Sequence, residues 1–325
     1  MAHRYLVERS RCPACAAEAR ETLFSCGLLE APIREHLEAL YAPQGCFEPE
    51  YLEDGRYELV ECGACGLYYQ VHVAGGELLG RIYERWIDPV KAFGLRQRSL
   101  TLDARMIQAR EVVLAVQRHG GTEAPLRVLD YGMGWGSWCQ MAMAFGCEAY
   151  GVESSPSRVA HARAHGITVV TAEKLGGLRF PFVNCDQVLE HLTEPLEALR
   201  VLAGCLGPGG LLKVSVPDGE DLCGRLARGR WLAAEGSPDS LLAVTPLQHV
   251  NCFRHENLVG MAARAGLRPA KLTLGELYAS SVDGATPGRL VDSLTRPLGR
   301  RFLTRDTYVF FERRRAGREG SGGPR

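Results

Sequence analysis

The pattern of hydrophobic and polar positions is clearest in the second half of the chain. From Leu126 onward, short apolar runs alternate with longer segments in which apolar residues recur every three or four positions. The short runs predict buried strands and the longer segments predict amphipathic helices. This alternation is typical of βα units packed around a mainly parallel sheet. We therefore expect an α/β, doubly wound fold in this part of the chain.

The elements can be placed from their boundaries. Strands are predicted at residues 127–131, 149–152, 167–170, 182–185, 211–216 and 307–311. Ser155 and Pro156 mark the start of one helix, because serine is a favoured N-cap and proline a favoured first residue. Other helices are expected around Trp138, Leu199 and Leu258, and the Gly-Pro-Gly-Gly sequence at 207–210 predicts a turn.

The first half of the chain has a different texture. Residues 1–75 contain two CxxC pairs and a predicted helix at 33–41, and we interpret them as a small separate module. Residues 76–125 read as a helical linker and lid, with one long helix at 96–119 whose apolar face carries Leu102, Met106, Val113 and Val116. The α/β domain is expected at 126–315, and the Gly-rich polar tail at 316–325 is expected to be disordered.

Composition narrows the class of protein. The 325 residues carry 38 Lys and Arg against 38 Asp and Glu, so the formal net charge is zero, whereas dedicated nucleic-acid binders usually show a basic excess. No uncharged apolar run approaches the roughly 20 residues of a membrane-spanning helix. The charged N-terminus, MAHRYLVERSRCPAC, lacks the apolar core of a secretory signal. We therefore expect a cytoplasmic protein without a membrane segment, and nucleic acid is a disfavoured partner.

The cysteines point to a metal. Twelve are too dilute in this chain for a secreted disulfide framework. Chance would give about 0.4 CxxC pairs at this frequency, yet CPAC and CGAC both occur. Four thiolates on two tight knuckles suit structural zinc, with buried unpaired cysteines or a redox dithiol as alternatives. The expected ligands are Cys12, Cys15, Cys62 and Cys65, and the spare candidates are Cys26, Cys46 and His72.

The other six cysteines lie in apolar contexts. They are most simply explained as small buried hydrophobic side chains. They are Cys139, Cys147, Cys185, Cys205, Cys223 and Cys252.

A glycine-rich loop lies where the first predicted strand passes into a helix. In LDYGMGWGSW the glycines are Gly132, Gly134 and Gly136, with Asp130 two residues before the first. Glycines at this position let a ligand approach the backbone and the helix N-terminus. The dinucleotide fingerprint requires a glycine at 137, which is Ser137 here, so the spacing argues against NAD.

Four features in register resemble the class I S-adenosylmethionine-dependent methyltransferases. They are DxGxGxG after the first strand, Glu153 ending the second, VLEHL after the fourth and LGPGGLL before the fifth. The resemblance extends from about residue 126 to 313. Over roughly residues 10–75, the cysteine module is similar to the N-terminal zinc module of several bacterial small-molecule methyltransferases, notably sugar C-methyltransferases.

The resemblance implies a set of cofactor contacts. Asp130 and the three loop glycines match the positions around the methionine moiety of S-adenosylmethionine, and Gln187 matches another position at that end. Glu153, with Ser154 beside it, matches the acidic residue that holds the ribose hydroxyls, because a carboxylate can accept two hydrogen bonds. Thr171 and Ala172 match the positions that flank the adenine.

Histidines are the natural candidates for a base, which methyl transfer requires only if the acceptor must lose a proton. His191 in VLEHLTEP follows the fourth strand, at the edge where ligands bind in such sheets. Its alternative role is a structural hydrogen bond within that loop. His249 lies in a long excursion that resembles the substrate-side segment of related small-molecule methyltransferases. Tyr83 and Trp86 either close over the cofactor or pack in a core.

The sequence therefore predicts an enzyme that transfers a methyl group from S-adenosylmethionine to a small molecule of sugar or secondary-metabolite type. Residues 219–248 are expected to shape the choice of acceptor. One alternative is an enzyme that modifies RNA or protein and uses the zinc module to hold its target. Another is a noncatalytic module with a degenerate cofactor site. The acceptor, the methylated atom and the oligomeric state do not follow from these residues.

Overall fold

Three β-sheets organise the part of the chain that the structure, a computed structural model, describes. This part comprises residues 3–120, 124–234, 236–273, 276 and 306–314. The strands in chain order are β1 (Leu6–Glu8), β2 (Arg20–Gly27), β3 (Arg56–Cys62), β4 (Tyr68–Gln70), β5 (His72–Ala74), β6 (Arg127–Tyr131), β7 (Glu148–Val152), β8 (Thr168–Val169), β9 (Phe180–Asp186), β10 (Leu206–Pro217), β11 (Asn251–Cys252), β12 (Leu267–Pro269) and β13 (Asp306–Arg313).

Helices connect and cover these strands. In chain order they are α1 (Ile33–Tyr41), α2 (Gly76–Arg81), α3 (Pro89–Ser99), α4 (Leu102–His119), α5 (Ser137–Ala144), α6 (Pro156–Ala164), α7 (Pro195–Cys205), α8 (Leu222–Arg228) and α9 (His255–Arg264). A π-helical turn at Ile82–Trp86 continues α2, and short 3₁₀ turns lie at Pro49–Tyr51, Ala172–Gly177 and Leu242–Val244. None of the helices in these described ranges combines the length and apolarity needed to cross a membrane.

The largest sheet has seven strands in the order β12-β13-β10-β9-β6-β7-β8. The five strands from β10 to β8 are parallel, and β13 runs antiparallel to both of its neighbours. This arrangement confirms the predicted doubly wound, mainly parallel sheet. The chain order reverses at β6, which lies between β7 and β9, and such a reversal opens a crevice at the carboxyl ends of the strands.

The strand predictions are confirmed with small changes at the ends. The first predicted strand, at 127–131, matches β6, and the remaining ones differ from β7, β8, β9, β10 and β13 mainly in length. The predicted turn at 207–210 is wrong, because these residues lie within β10. The pairing of β10 with β9 shifts register between Leu206 and Leu211, so the glycines form an irregularity in the strand.

The single long helix predicted at 96–119 is also wrong. The chain breaks after α3, and the side chain of Thr101 accepts a hydrogen bond from the Ala104 N–H at 3.3 Å, which starts α4. The predicted apolar face is misplaced as well, because Leu102 is 74% exposed. The buried residues of α4 are Glu111, Val112, Leu114 and Ala115, so only its C-terminal half packs on the sheet.

The N-terminal module is completed by residues from the second half of the chain. Its four-stranded sheet has the order β11-β4-β3-β2, so β11 pairs with β4 although the two lie far apart in sequence. Its apolar core contains Tyr57 and Trp86 together with Trp231, which comes from the 219–248 segment. The predicted domain limits at 75 and 125 stay predictions, and the predicted disordered tail lies outside the described residues.

Candidate functional site

The glycine loop forms the turn between β6 and α5. Gly132, Gly134 and Gly136 all have positive φ, at 75°, 55° and 74°, a conformation that side chains with a Cβ rarely adopt. A Cβ on Gly132 would lie 2.4 Å from Val188, and one on Gly136 would lie 2.5 Å from Ile167. A Cβ on Gly134 would meet nothing within 4 Å, so the loop leaves open space at this residue. The loop therefore offers backbone and room for a bound cofactor.

Glu153 lies against this loop at the end of β7. Its Oε2 accepts a hydrogen bond from the Gly134 N–H at 3.0 Å, and its Oε1 accepts from the backbone N–H groups of Ser154 at 2.8 Å and Ser155 at 3.0 Å. An Arg158 nitrogen lies 3.7 Å from Oε2. The structure thus brings the predicted ribose-binding carboxylate and the glycine loop together, with Ser154 exposed beside them.

The remaining predicted cofactor residues lie along the same edge. Thr171 is exposed and Ala172 is partly buried, and both follow β8. Gln187 follows β9 with φ of 55°, and its Nε2 donates to the Ser215 hydroxyl at 3.0 Å. Since β6 to β9 are parallel, these residues share the crevice edge with the loop. Their contacts with the cofactor stay predictions.

Asp130 lies beneath the loop and is only 4% exposed. Its Oδ1 accepts a hydrogen bond from Asn184 Nδ2 at 2.8 Å. Burial raises the pKa of Asp130 to about 7, against the hydrogen bond from Asn184, which favours the charged form. Its predicted contact with the methionine end of the cofactor also stays a prediction.

A buried ionic cluster under this edge was missed by the sequence reasoning. Lys213 in β10 forms an ion pair with Asp186 and lies 3.5 Å from Glu111, while Trp138 Nε1 and the Tyr308 hydroxyl each donate to Glu111 at 2.8 Å. Burial lowers the pKa of Lys213, but the neighbouring carboxylates outweigh burial and raise the pKa. The available signal was a lysine inside an otherwise apolar strand, LLKVSV.

The two predicted catalytic histidines meet at the carboxyl end of β9. The rings of His191 and His249 are 4.7 Å apart between centroids, in an edge-to-face arrangement. His191 Nδ1 lies 3.1 Å from the Gln248 carbonyl oxygen, and its Nε2 lies 3.8 Å from a carboxylate oxygen of Glu190. His249 Nδ1 is hydrogen-bonded to the Leu242 carbonyl. Glu190 stands next to His191 in VLEHL but was not considered in the sequence reasoning.

Both histidines are neutral at pH 7. Burial and the neighbouring His249 lower the pKa of His191 to about 3, and burial lowers the pKa of His249 to about 4. The Nδ1–H of each ring can donate to its backbone carbonyl, which leaves the Nε2 lone pair as an acceptor. Glu190, His191 and His249 also present ligand atoms within 4.8 Å of one another, a spacing that can hold a metal ion.

Tyr83 links the two ends of the site. Its hydroxyl lies 3.4 Å from His191 Nδ1, and the Arg158 guanidinium lies 5.9 Å from the centre of its ring. Trp86, by contrast, is fully buried in the N-terminal core and donates to a Glu48 carboxylate oxygen at 2.9 Å. Of the two aromatic candidates, Tyr83 therefore lies at the site and Trp86 is a core residue.

The four cysteines of the CxxC pairs converge. The Sγ atoms of Cys12 and Cys65 lie 3.6 Å apart and those of Cys15 and Cys62 lie 3.5 Å apart, and all four lie within 4.8 Å of one another. Tetrahedral zinc with bonds of about 2.3 Å separates its sulfurs by about 3.8 Å. The cluster thus fits the predicted zinc site, and Cys26, Cys46 and His72 are not part of it.

The prediction of burial for the other six cysteines is confirmed for five of them. Cys223 is exposed, so its prediction is wrong. Cys223 lies in α8, a short helix of the 219–248 segment in which Leu222 is the buried residue.

Comparison with known proteins assigns the family. A family model described as a methyltransferase domain matches residues 97–272, slightly more than half of the chain. The chain belongs to this methyltransferase family. The match includes the glycine loop, Glu153 and both histidines, and the protein is a class I S-adenosylmethionine-dependent methyltransferase. Residues 1–96 lie outside the match.

Curated relatives match nearly half of the methyltransferase chain. The ubiquinone biosynthesis O-methyltransferase of Ruegeria pomeroyi is 30% identical over 179 residues, which is 49% of this chain and 68% of that protein. The enzyme of the same name from Cereibacter sphaeroides is 30% identical over 160 residues, which is 44% of this chain and 61% of that protein. The chain thus spans about two thirds of the length of these relatives.

Solved structures are similar at lower identity. A plantazolicin methyltransferase in complex with a triazolic desmethyl analogue of plantazolicin and S-adenosylhomocysteine is 15% identical with a TM-score of 0.47, covering 72% of this chain and 94% of that one. An amino pentose methyltransferase from Micromonospora echinaspora, solved with S-adenosylmethionine, is 23% identical with a TM-score of 0.32, covering 38% and 55%.

Replacing Glu153 with Ala is expected to weaken binding of S-adenosylmethionine by roughly 5- to 150-fold. Alanine lacks the carboxylate that accepts hydrogen bonds from the ribose hydroxyls, and this loss costs about 1 to 3 kcal/mol of binding free energy. Isothermal titration calorimetry measures the change. Glu148→Ala is the matched control, since Glu148 lies at the other end of β7 and pairs with Arg127 at 3.0 Å. Equal affinity of Glu153→Ala and wild type would remove the ribose assignment.

We expect one zinc per methyltransferase chain after purification without chelator, measured by elemental analysis. Cys62→Ser should lose the metal and loosen the N-terminal module first, because four thiolates make metal affinity part of its folding free energy. Cys26→Ser, a cysteine of the same module outside the cluster, should keep it. If Cys62→Ser retains a full equivalent of zinc, the metal site would be assigned to Glu190, His191 and His249 instead.

The low pKa of His249 predicts acid sensitivity. The unfolded chain takes up a proton near pH 6.5, whereas the folded chain does so near pH 4, so the stabilising effect is complete above pH 6.5 and is lost as the pH falls toward 4. It amounts to at most about 3 kcal/mol. The melting temperature of His249→Gln should therefore fall less between pH 7.5 and pH 5 than that of wild type. Parallel losses in the two proteins would contradict the assignment.

Proposed function

We propose that this methyltransferase transfers a methyl group from S-adenosylmethionine to a small-molecule acceptor of sugar or secondary-metabolite type, with His191 as the base. The observation that supports this most is the continuous path of contacts at one edge of the sheet. It runs from Glu153 through Arg158 and Tyr83 to His191. The candidate cofactor-binding and proton-accepting groups are thus adjacent rather than merely present in one chain.

The cofactor end is built from backbone and carboxylate groups. Gly134 leaves room for the ligand. The Glu153 carboxylate, held by the Gly134 N–H, is assigned to the ribose hydroxyls, and Gln187 contacts Ser215 of the next strand. When bound, S-adenosylmethionine supplies an electrophilic methyl group on its sulfonium sulfur. The protein orients the two reactants in line, and such orientation supplies much of the rate.

His191 is set up to take a proton from the acceptor. Its Nδ1–H donates to the Gln248 carbonyl, so the Nε2 lone pair is the basic atom. Its pKa of about 3 keeps the ring neutral at pH 7 but makes it a weak base, because burial and the neighbouring His249 disfavour the imidazolium. The carboxyl group of Glu190, 3.8 Å from Nε2, is placed to offset part of that cost when the proton is taken up. His249 is the second candidate for this role, because its ring contacts that of His191.

The surroundings of His191 favour a small acceptor. Its side chain is only 25% exposed, and its Nδ1 lies 3.1 Å from the Gln248 carbonyl oxygen of the 219–248 segment and 3.4 Å from the Tyr83 hydroxyl. A zero net charge also favours a small molecule over a polyanion. Relatives named as ubiquinone biosynthesis O-methyltransferases are consistent with a small acceptor.

The alternative of a zinc module that grips RNA or protein has less support. Cys12 and Cys62 are 2% and 1% exposed and pack in the same core cluster as Phe253 and Leu258. Asn257 in α9 donates to the Cys65 carbonyl at 2.6 Å. The knuckles are therefore occupied by contacts with the catalytic domain. RNA binding that depends on salt concentration would reverse this preference.

The function is tested with methyl-labelled S-adenosylmethionine and fractionated cell extract as the source of acceptor. The labelled product is expected to be a small molecule, identified by mass spectrometry. Label found only in protein or RNA would overturn the proposed acceptor class. No label above that of a heat-inactivated control would overturn the proposed transfer.

Replacing His191 with Asn tests the base. The amide keeps hydrogen bonding but cannot accept a proton, so turnover of the labelled product should fall by roughly 100- to 10,000-fold while cofactor affinity stays within a few-fold. His165→Asn is the control, because His165 is an exposed histidine at the end of α6. Near-normal turnover in His191→Asn would transfer the role to His249 or indicate an acceptor that needs no base.

A further inference from the structure

Arg9, in the N-terminal module, is a buried cation that reaches the catalytic domain. It is 6% exposed. Its guanidinium donates to the Gln70 carbonyl at 2.9 and 2.5 Å, to the Val250 carbonyl at 2.7 Å and to Asn251 Oδ1 at 2.8 Å. One side chain therefore joins the module to the chain that follows His249.

Asn251 passes this contact on to the loop that carries His191. Its side chain is fully buried. While Oδ1 accepts from Arg9, Nδ2 donates to the carbonyls of Leu189 at 2.9 Å and Leu192 at 2.7 Å. The Asn251 N–H also donates to the Glu190 carbonyl at 3.1 Å. Three hydrogen bonds thus fix the backbone on both sides of His191.

Gln70 does the same for the segment that carries His249. It is fully buried at the end of β4. Its Nε2 donates to the carbonyls of Thr245 at 2.9 Å and His249 at 2.8 Å, and its Oε1 accepts from the Leu247 N–H at 3.1 Å. Both hydrogens of the amide are used, so the side chain is held in one orientation.

The two side chains lie close to the cysteine knuckles in sequence. Arg9 is three residues before Cys12, and Gln70 is five residues after Cys65. Folding of the knuckles therefore sets the backbone from which both side chains extend. We propose that Arg9, Asn251 and Gln70 are positioning residues for methyl transfer, through which the cysteine module fixes the two segments that bear the histidines.

This inference rests on the proposed role of the histidines. It concerns the backbone that holds the two rings, whereas the proposed function concerns the proton that a histidine accepts. Displacing a reacting group by about 1 Å can cost roughly 100-fold in rate. We call the hydrogen bonds made by Arg9, Asn251 and Gln70 the clamp. We therefore expect the clamp to affect turnover much more than binding of the cofactor at the glycine loop.

The decisive variant is Asn251→Asp, which keeps the shape of the side chain and an acceptor for Arg9 but loses both donors to the His191 loop. Its isosteric control is Asn257→Asp, which weakens the contact between the same module and α9 without touching either histidine segment. With methyl-labelled S-adenosylmethionine and cell extract, Asn251→Asp should form product at least about tenfold more slowly than the control. Calorimetric affinity for S-adenosylmethionine should stay within about threefold in both. Equal rates in the two variants would overturn the proposal.

Hydrogen–deuterium exchange gives a readout that needs no acceptor. Exchange in Asn251→Asp should rise in peptides covering residues 188–193 and stay unchanged around the glycine loop. If this variant does not fold, Gln70→Glu replaces it, with exchange read at residues 245–250. Gln44→Glu is its control, because the Gln44 side chain donates to the Leu40 carbonyl at 2.8 Å within its own module. Unchanged exchange in these peptides would also overturn the proposal.

The two proposals fail in different ways. If His191→Asn keeps near-normal turnover and exchange is faster in Asn251→Asp, the proposed base is wrong and the clamp is supported. If His191→Asn loses turnover and exchange is unchanged in Asn251→Asp, the proposed clamp is wrong and the base is supported.

Discussion

Every buried carbonyl at the carboxyl edge of the sheet must find a donor, and this constraint shapes the molecule. A parallel sheet brings the ends of its strands to one edge, where the connecting segments leave helix and strand geometry and expose their backbone groups. Around His191 and His249 those carbonyls are met by Asn251 and Gln70, with Arg9 behind them. An unsatisfied buried carbonyl costs about 1 to 3 kcal/mol. The N-terminal module thus supplies part of the hydrogen bonding at this edge of the sheet.

A second polar layer lies beneath the glycine loop. Lys213 is buried between the carboxylates of Glu111 and the more exposed Asp186, so removing Lys213 would leave the buried Glu111 without its counterion. Asn184 meanwhile supports Asp130 from the neighbouring strand. Such a cluster ties β6, β9 and β10 to α4. The ion pairing inside the sheet therefore supports the strand ends from which the glycine loop extends.

Local signals predicted the catalytic domain well and the module's contacts poorly. The strand at 127–131, the helix at 33–41, the glycine loop and the cysteine cluster followed from spacing, because each depends on residues close in sequence. The break at Thr101 was missed although threonine is a favoured N-cap, because the predicted helix was extended back to residue 96, beyond the first apolar position of its face. Arg9, Gln70 and Asn251 carried no signal, since their partners lie in distant segments. Glu190 lies in the same VLEHL motif as His191 but was not predicted as a site residue.

The pairing of β4 with β11 affects how the protein emerges from the ribosome. Tyr69 and Asn251 are register partners across about 180 residues of intervening chain. Until residue 252 has been made, β4 presents an open strand edge, and the core around Tyr57 lacks Trp231. An open edge invites association with other chains. Translation therefore passes through a long interval in which the N-terminal module is synthesised but its sheet and core are incomplete.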